Sequence, residues 1–229
     1  MNESPDYLAY IKHMLESKST AKQLTYKHLL AAFSMLAAES EKLIDELKKR
    51  TAPGDQDVTL EFIRVSDHEF QVKLAGDLLI FVLHTNIVTF DQEHSVMQDK
   101  YILENEINRY FGQINIYNFM SDSLKFNRIN DPGYLLARIM INHDNRFFAE
   151  GEGQLGLVYS RISDGPIRET DLQNIVKLAL AIAIENDLMA PPYVKVKFIT
   201  LYQKMEHIPE LGGGQKIGFR MSYEDKIGG

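Results

Sequence analysis

The sequence predicts an α+β protein in which a long N-terminal helix packs on a mainly antiparallel sheet. Three features predict it: an apolar seam with helical spacing in the first fifty residues, an antiparallel meander over Val58–Phe90 followed by later strands, and a buried helix near residues 171–188. The boundaries indicate an N-terminal helical segment over 1–52 and an α+β domain over 58–229. The two parts could share one continuous core.

Apolar side chains recur at spacings of three and four along the first helix. Ser19 and Thr20 precede Gln23 as in a capping box, and the cations of Lys48-Lys49-Arg50 suit a helix C-terminus. Such a seam packs either on the chain's own sheet or, in part, on a second copy. The candidate interface residues of this seam are Tyr26, Leu29, Phe33, Leu36, Leu43 and Leu47.

Short runs of β-branched and aromatic residues, separated by turn formers, predict the strands. Ala75-Gly76-Asp77 and His84-Thr85-Asn86 are two of the predicted turns, and His143–Arg146 is the turn of a later hairpin. The predicted strands are Val58–Val65, Phe70–Leu74, Leu78–Leu83, Ile87–Phe90, Gln113–Met120, Tyr134–Ile141, Phe147–Glu150, Tyr193–Tyr202 and Ile217–Tyr223.

Two more helices are predicted between these strands. A polar helix spans Gln92 to Tyr110 and should face water over most of its surface. The second begins after Thr170, with Gln173 three residues on, and ends near Leu188. Its centre, Leu178–Ile184, is apolar on every side, which predicts deep burial.

Composition limits the classes of function. The chain has no cysteine, which excludes disulfides, thiolate nucleophiles and cysteine-ligated zinc. It has no apolar run of about 18 residues and begins with acidic residues, so we expect no membrane partner and a cytoplasmic location. Residues 58–189 carry 11 basic and 19 acidic side chains, a balance that disfavours nucleic acid as a partner. No cofactor is predicted.

The candidate catalytic residues are His84 and His143. Each follows a strand and has carboxylates nearby in the sequence, so each could belong to an acid–base or metal-binding cluster, or could be a solvated turn residue. The neighbours of His84 are Asp91, Glu93 and His94, and those of His143 are Asp144, Glu150 and Glu152. Neither group has a known metal-binding spacing, so no metal site is predicted.

A glycine-rich stretch near the end of the chain is a candidate site for a small anion. Flexible backbone amides next to two cations can cradle a phosphate, although the spacing is not that of a Walker loop. The alternative is a loop between two strands. The residues concerned are Gly212, Gly213, Gly214, Lys216 and Arg220.

One further interpretation rests on the second strand, which contains Gln71-Val72-Lys73 and is preceded by Asp67. The predicted order of helix, three antiparallel strands, helix and strand resembles that of the restriction-endonuclease-like nucleases. The resemblance covers fewer than 70 residues and implies a magnesium site with Asp67 as a ligand and Lys73 as the lysine of an acid-x-Lys pair. Gln71 stands in place of the acid, and Leu78–Leu83 carries no acid at all.

Three functions follow as hypotheses. The first is a non-catalytic subunit that binds another protein or a second copy of itself, indicated by the long apolar seam and the lack of a reaction motif. The second is an enzyme or sensor for a small anionic or nucleotide-like ligand at the glycine-rich stretch. The third is a degenerate or metal-dependent nuclease.

Overall fold

The computed structural model describes residues 6–51, 58–189, 192–198, 201 and 215–216. It confirms the predicted α+β class, with a long N-terminal helix packed on an antiparallel sheet. Six strands follow one another in sequence order, β1-β2-β3-β4-β5-β6, and every neighbouring pair is antiparallel. The strands are β1 (Leu60–Ser66), β2 (Glu69–Leu74), β3 (Asp77–Val88), β4 (Phe111–Met120), β5 (Tyr134–Asn142) and β6 (Phe147–Gly151).

Helical structure runs without a break from Tyr7 to Arg50, as α1 (Tyr7–Met14), a π-helical turn (Leu15–Ser19) and α2 (Thr20–Arg50). The predicted cap at Ser19 is therefore wrong: its φ of −71° and ψ of −38° are helical, and its side chain caps nothing. Asp6 is the true cap, because its carboxylate accepts hydrogen bonds from the backbone N–H groups of Leu8 and Ala9.

The sheet corrects one predicted turn. His84-Thr85-Asn86 lies inside β3, so the two strands predicted on either side of it form one strand, with a register shift between His84 and Val88. The shift is a β-bulge-like irregularity, which lets turn-forming residues sit within a strand. The predictions for β4, β5 and β6 are confirmed to within two residues at each end.

The main core lies between one face of the sheet and two helices, α2 and α6 (Glu169–Glu185). Phe70 is at its centre, with its ring stacked on Phe81 at 4.3 Å and tilted against Phe33 at 5.2 Å. The seam of α2 faces this core: Leu29, Phe33 and Leu36 are at most 1% exposed, and Tyr26, Leu43 and Leu47 pack around them half-buried. Side chains of α2 and of the sheet thus belong to one hydrophobic cluster.

The predicted helix over Gln92–Tyr110 is wrong. Three short segments replace it, a 3₁₀ turn (Ser95–Gln98), α3 (Lys100–Glu104) and a second 3₁₀ turn (Glu106–Arg109). Asp99 and Asn105 break the helix because each takes an extended backbone and accepts a hydrogen bond from an N–H two residues ahead. Val96, Met97 and Ile102 of these segments join a second cluster on the other face of the sheet. Its remaining buried members are Phe111, Met140, Phe148 and Ile162.

Helix α6 is present, but its start and its burial differ from the prediction. Arg168 takes the cap position instead of Thr170, and the carboxylate of Asp171 accepts hydrogen bonds from its backbone N–H and its guanidinium. Only one side of the helix is buried, because Ala181 faces solvent and Ile184 is 56% exposed. The helix ends at Glu185, three residues before the predicted end.

The structure does not show the last two predicted strands as strands in the residues that it describes. Tyr193–Val196 forms a short helix, α7, so the strand predicted over Tyr193–Tyr202 is wrong there. Two further strands, β7 (Leu188–Met189) and β8 (Gln215–Lys216), pair with each other, and Ile217–Tyr223 lies outside the described residues. In the parts described, no helix is long and apolar enough to cross a membrane. Two short helices complete the elements: α4 (Ser121–Lys125) and α5 (Gly153–Val158).

Candidate functional site

We call the face of the sheet that is turned away from α2 and α6 the open face. Its side chains alternate with those of the core, and the cross-strand register places Ile63, Gln71, Ile80, Tyr117 and Leu135 side by side on it. Among the described residues, the second cluster covers this face only near Phe111 and Phe148. The rest of it mixes apolar and polar side chains.

A group of three polar side chains lies where the second cluster meets the open face. Glu150 accepts a hydrogen bond from His94 Nε2 at 2.7 Å and one from Arg138 Nε. Burial raises the pKa of Glu150, but these two hydrogen bonds outweigh it and the pKa falls below its usual value. Phe90 stacks on the His94 ring at 4.2 Å.

The two ring nitrogens of His94 have different hydrogen-bond partners. Its Nδ1 accepts a hydrogen bond from the Val96 backbone N–H at 3.3 Å, which assigns the ring proton to Nε2, where it is donated to Glu150. Both nitrogens are therefore occupied by structural partners. The group anchors the segment after β3 to β5 and β6.

His143 belongs to a second polar group, at the β5–β6 turn. Asn108 donates its amide hydrogen to the Tyr101 carbonyl at 2.6 Å, so its Oδ1 accepts from His143 Nε2 at 2.9 Å. The other nitrogen, Nδ1, lies 3.2 Å from Asp144 Oδ1, and the side chain is only 11% exposed. Burial lowers the pKa of His143 and outweighs the attraction of Asp144.

Tyr101 completes this group. Its hydroxyl donates to Asp144 Oδ2 and accepts from Asn142 Nδ2, each at 2.7 Å, and the Arg146 guanidinium lies 4.1 Å from the ring centroid. Burial and the bond to Asp144 raise the pKa of the phenol, so it stays protonated as a donor. The group closes on itself and holds α3 against the β5–β6 turn.

The other catalytic candidate, His84, is not brought to these groups. Its Nδ1 accepts from the Asn86 backbone N–H at 3.3 Å, within its own bulge, while His94 bonds to Glu150 instead. Across the described ranges, no three His, Cys, Asp or Glu side chains are placed to hold a metal ion.

Asp67 and Lys73 also lie apart. Asp67 is in the turn before β2 and Lys73 is near the far end of that strand, six residues or about 20 Å away at 3.3 Å per residue. The strand after β3, β4, pairs antiparallel with it, and the helix expected between them is reduced to the five-residue α3 with a 3₁₀ turn on each side. The structure therefore does not bring together Asp67 and Lys73, the two residues on which the nuclease resemblance places its magnesium site.

The glycine-rich candidate lies almost wholly outside the described residues. Lys216 is described as a backbone partner of Leu188 in the β7–β8 ladder. The remaining members, Gly212, Gly213, Gly214 and Arg220, are not described.

Two further features have no explanation in the packing of the described residues, and only the second of them was not indicated by the sequence. The first is α1, in which no residue is buried although five of its eight side chains are large and mainly apolar. The second is a cavity of about 400 Å³ at the end of the open face, with Lys73, Lys125 and Arg128 among its lining residues. The amphipathic spacing of Tyr7, Ile11 and Leu15 was visible in the sequence, whereas the three cations of the cavity come from separate elements.

Comparison of the chain with protein-family models, with curated proteins and with solved structures finds no match. No function is carried to this chain from another protein.

Proposed function

We propose that this protein is a non-catalytic cytoplasmic interaction subunit that associates with a second copy of itself through α1. The observation that carries the proposal is the exposure of the apolar face of that helix. Tyr7, Leu8, Tyr10, Ile11 and Leu15 are 50–79% exposed. At about 100° per residue they and Met14 occupy one arc of about 160°.

The rest of α1 suits a helix that pairs through one side only. Lys12 and Glu16, which form an ion pair of 3.7 Å, and His13 lie on the opposite side. A contiguous exposed apolar face costs free energy in water and is typical of an interaction surface. Because Asp6 caps the helix and α2 continues it, the face is already ordered before it binds.

The size of the surface sets the expected strength of association. A stable interface buries about 800 Å² on each partner, and two turns of helix offer less than that. We therefore expect a dimer that forms and dissociates within an accessible concentration range. The polar groups at His94 and His143 suit a non-catalytic role, because His94 bonds to Glu150 and to the Val96 backbone within the fold, and the His143 side chain is only 11% exposed.

The test is the molar mass of the protein in solution, measured by light scattering across a dilution series. Wild type should approach twice the chain mass of 26.3 kDa at high concentration. Ile11→Asp, which places a charge at the centre of the apolar arc, should stay monomeric at every concentration.

His13→Asp is the matched control, since it introduces the same residue on the polar side of the same helix. It should dimerise as wild type does. A wild type that is monomeric throughout would rule out self-association, and a dimer that survives Ile11→Asp would place the interface elsewhere.

A further inference from the structure

The cavity at the end of the open face is built by four connected segments. The β2–β3 turn forms one wall, where Ala75 N–H donates to the Thr59 carbonyl and Ser121 N–H to the Gly76 carbonyl, both at 2.8 Å. The end of β4 and helix α4 form the other wall. The polar side chains that line it are Thr59, Lys73, Ser121, Asp122, Lys125 and Arg128.

Arg128 is held on the wall by an ion pair. Its Nε lies 3.2 Å from Asp131 Oδ2, and the two side chains are 10% and 5% exposed. Ser123 donates its hydroxyl to the same carboxylate at 2.5 Å. A guanidinium fixed in this way is oriented before any ligand arrives, which lowers the entropic cost of binding.

Positive charge exceeds negative charge in this cavity. Among the side chains that line it, three cations face one carboxylate, that of Asp122. Asp131 pairs with Arg128 from behind the wall. The chain as a whole carries −7. The surplus is therefore local and runs against the overall charge.

The environment of Lys73 favours a bound anion. Lys73 is half-buried, and in the described part of the chain it forms no ion pair, although Glu61 lies opposite it in the register. Burying a cation without a partner costs free energy, and a bound anion recovers part of that cost. Lys125 is exposed, lies 5.1 Å from the Phe126 ring centroid, and likewise forms no ion pair there.

We propose that this cavity binds the phosphoryl group of a small molecule. A phosphoryl group carries about −1.5 to −2 charges and several acceptor oxygens, so more than one cation and additional hydroxyl donors are needed to hold it. Lys73, Lys125 and Arg128 supply the cations, and Ser121 and Thr59 supply the hydroxyls. The site is independent of α1 and adds a ligand to the proposed interaction subunit.

The test is the midpoint of thermal unfolding in sodium phosphate, compared with sodium chloride at the same ionic strength and pH. A ligand that binds only the folded state raises the midpoint by about 3–6 °C at ten times its Kd for a chain of this size. Wild type should show that rise with inorganic phosphate. Adenosine 5′-monophosphate serves as a second probe: tighter binding than phosphate would mean that the open face also holds a nucleoside, and equal binding would mean that the phosphoryl group alone is recognised.

The double variant Lys73→Gln/Lys125→Gln should lose the rise with both probes. Lys27→Gln, which removes a cation from the exposed side of α2, should keep it. Equal midpoints of wild type in phosphate and chloride, or a rise that persists in the double variant, would overturn the proposal. Since neither lysine contacts α1, failure of this test leaves the dimer measurement unaffected.

Discussion

Gly112 is the residue at which strand β4 lies against helix α2. A Cβ added there would be 2.8 Å from Leu29 Cδ2 and 3.1 Å from Leu29 Cβ. Leu29 is fully buried, so its side chain has no solvent-facing space to move into. We expect Gly112→Ala to lower the free energy of unfolding by about 1–3 kcal/mol, measured by urea denaturation.

Gly76→Ala is the control for this prediction. No heavy atom lies within 4 Å of the Cβ that it would add, and it sits in an exposed turn. Its free energy of unfolding should stay within about 0.5 kcal/mol of wild type. If both variants lost the same stability, the close approach of helix and strand would not be the cause.

Glu39 makes stability depend on pH. It is 5% exposed between α2 and α6 and accepts hydrogen bonds from Lys42 Nζ at 2.5 Å and Gln173 Nε2 at 2.7 Å. Burial raises its pKa, but these hydrogen bonds outweigh burial, so the pKa in the folded protein lies below its ordinary value. The unfolded chain then takes up the proton first as pH falls.

The stabilisation by Glu39 should therefore be complete above its unfolded pKa of about 4.3 and disappear as pH falls through the lower folded pKa. Glu39→Gln should reduce the free energy of unfolding at pH 7 by about 1–3 kcal/mol, with a smaller difference from wild type at pH 3. Urea denaturation at the two pH values measures it. Glu41→Gln, at an exposed position on the same helix, should change neither value by more than about 0.5 kcal/mol.

At the scale of the element, α6 offers a matched pair of alanines. Ala179 is fully buried against the core, while Ala181, two residues on, faces solvent. Ala179→Leu should overpack the contact with α2 and the sheet and cost about 1–3 kcal/mol. Ala181→Leu adds the same atoms in water and should be near neutral. Thermal unfolding of the two variants compares them directly, and equal losses would mean that α6 is not oriented as described.

The predicted and observed elements agree where local sequence determines secondary structure and differ where other contacts determine it. Strands β4, β5 and β6 were predictable because their alternation and turn residues are local signals. The helix expected over Gln92–Tyr110 failed because Asp99 and Asn105, which read as ordinary polar helix residues, bond to the backbone instead. The alternating apolar residues and lysines after Tyr193 fitted a strand, but Tyr193–Val196 forms a short helix.

The candidate sites depend on contacts between distant parts of the chain. His94 meets Glu150 across 56 residues, and the cavity joins Lys73 on β2 to Lys125 on α4. Their meeting follows from the strand order β1 to β6, which hydrophobic periodicity alone does not determine. The exposed face of α1 is the exception, because helical spacing is a local signal.

At the scale of the whole molecule, the single hydrophobic cluster shared by α2 and the sheet decides whether the chain can be divided. Without α2, the core face of the sheet would expose Phe70, Leu79 and Ile116, each now fully buried. Burying such a side chain contributes about 1.5–3 kcal/mol, and the several lost together are comparable with the whole stability of a domain. The sheet is therefore not expected to fold without the long helix.

Two truncations test this dependence. A chain that begins at Val58 should lack cooperative thermal unfolding, because it loses the helix that covers the sheet. A chain that begins at Ser19 removes α1, in which no residue is buried, and should unfold cooperatively with a midpoint close to that of wild type. Calorimetry with both proteins separates the outcomes. A cooperative transition in the chain that begins at Val58 would mean that residues 58–229 form a domain of their own. Loss of cooperativity in the chain that begins at Ser19 would mean that α1 supports the fold as well as the proposed dimer.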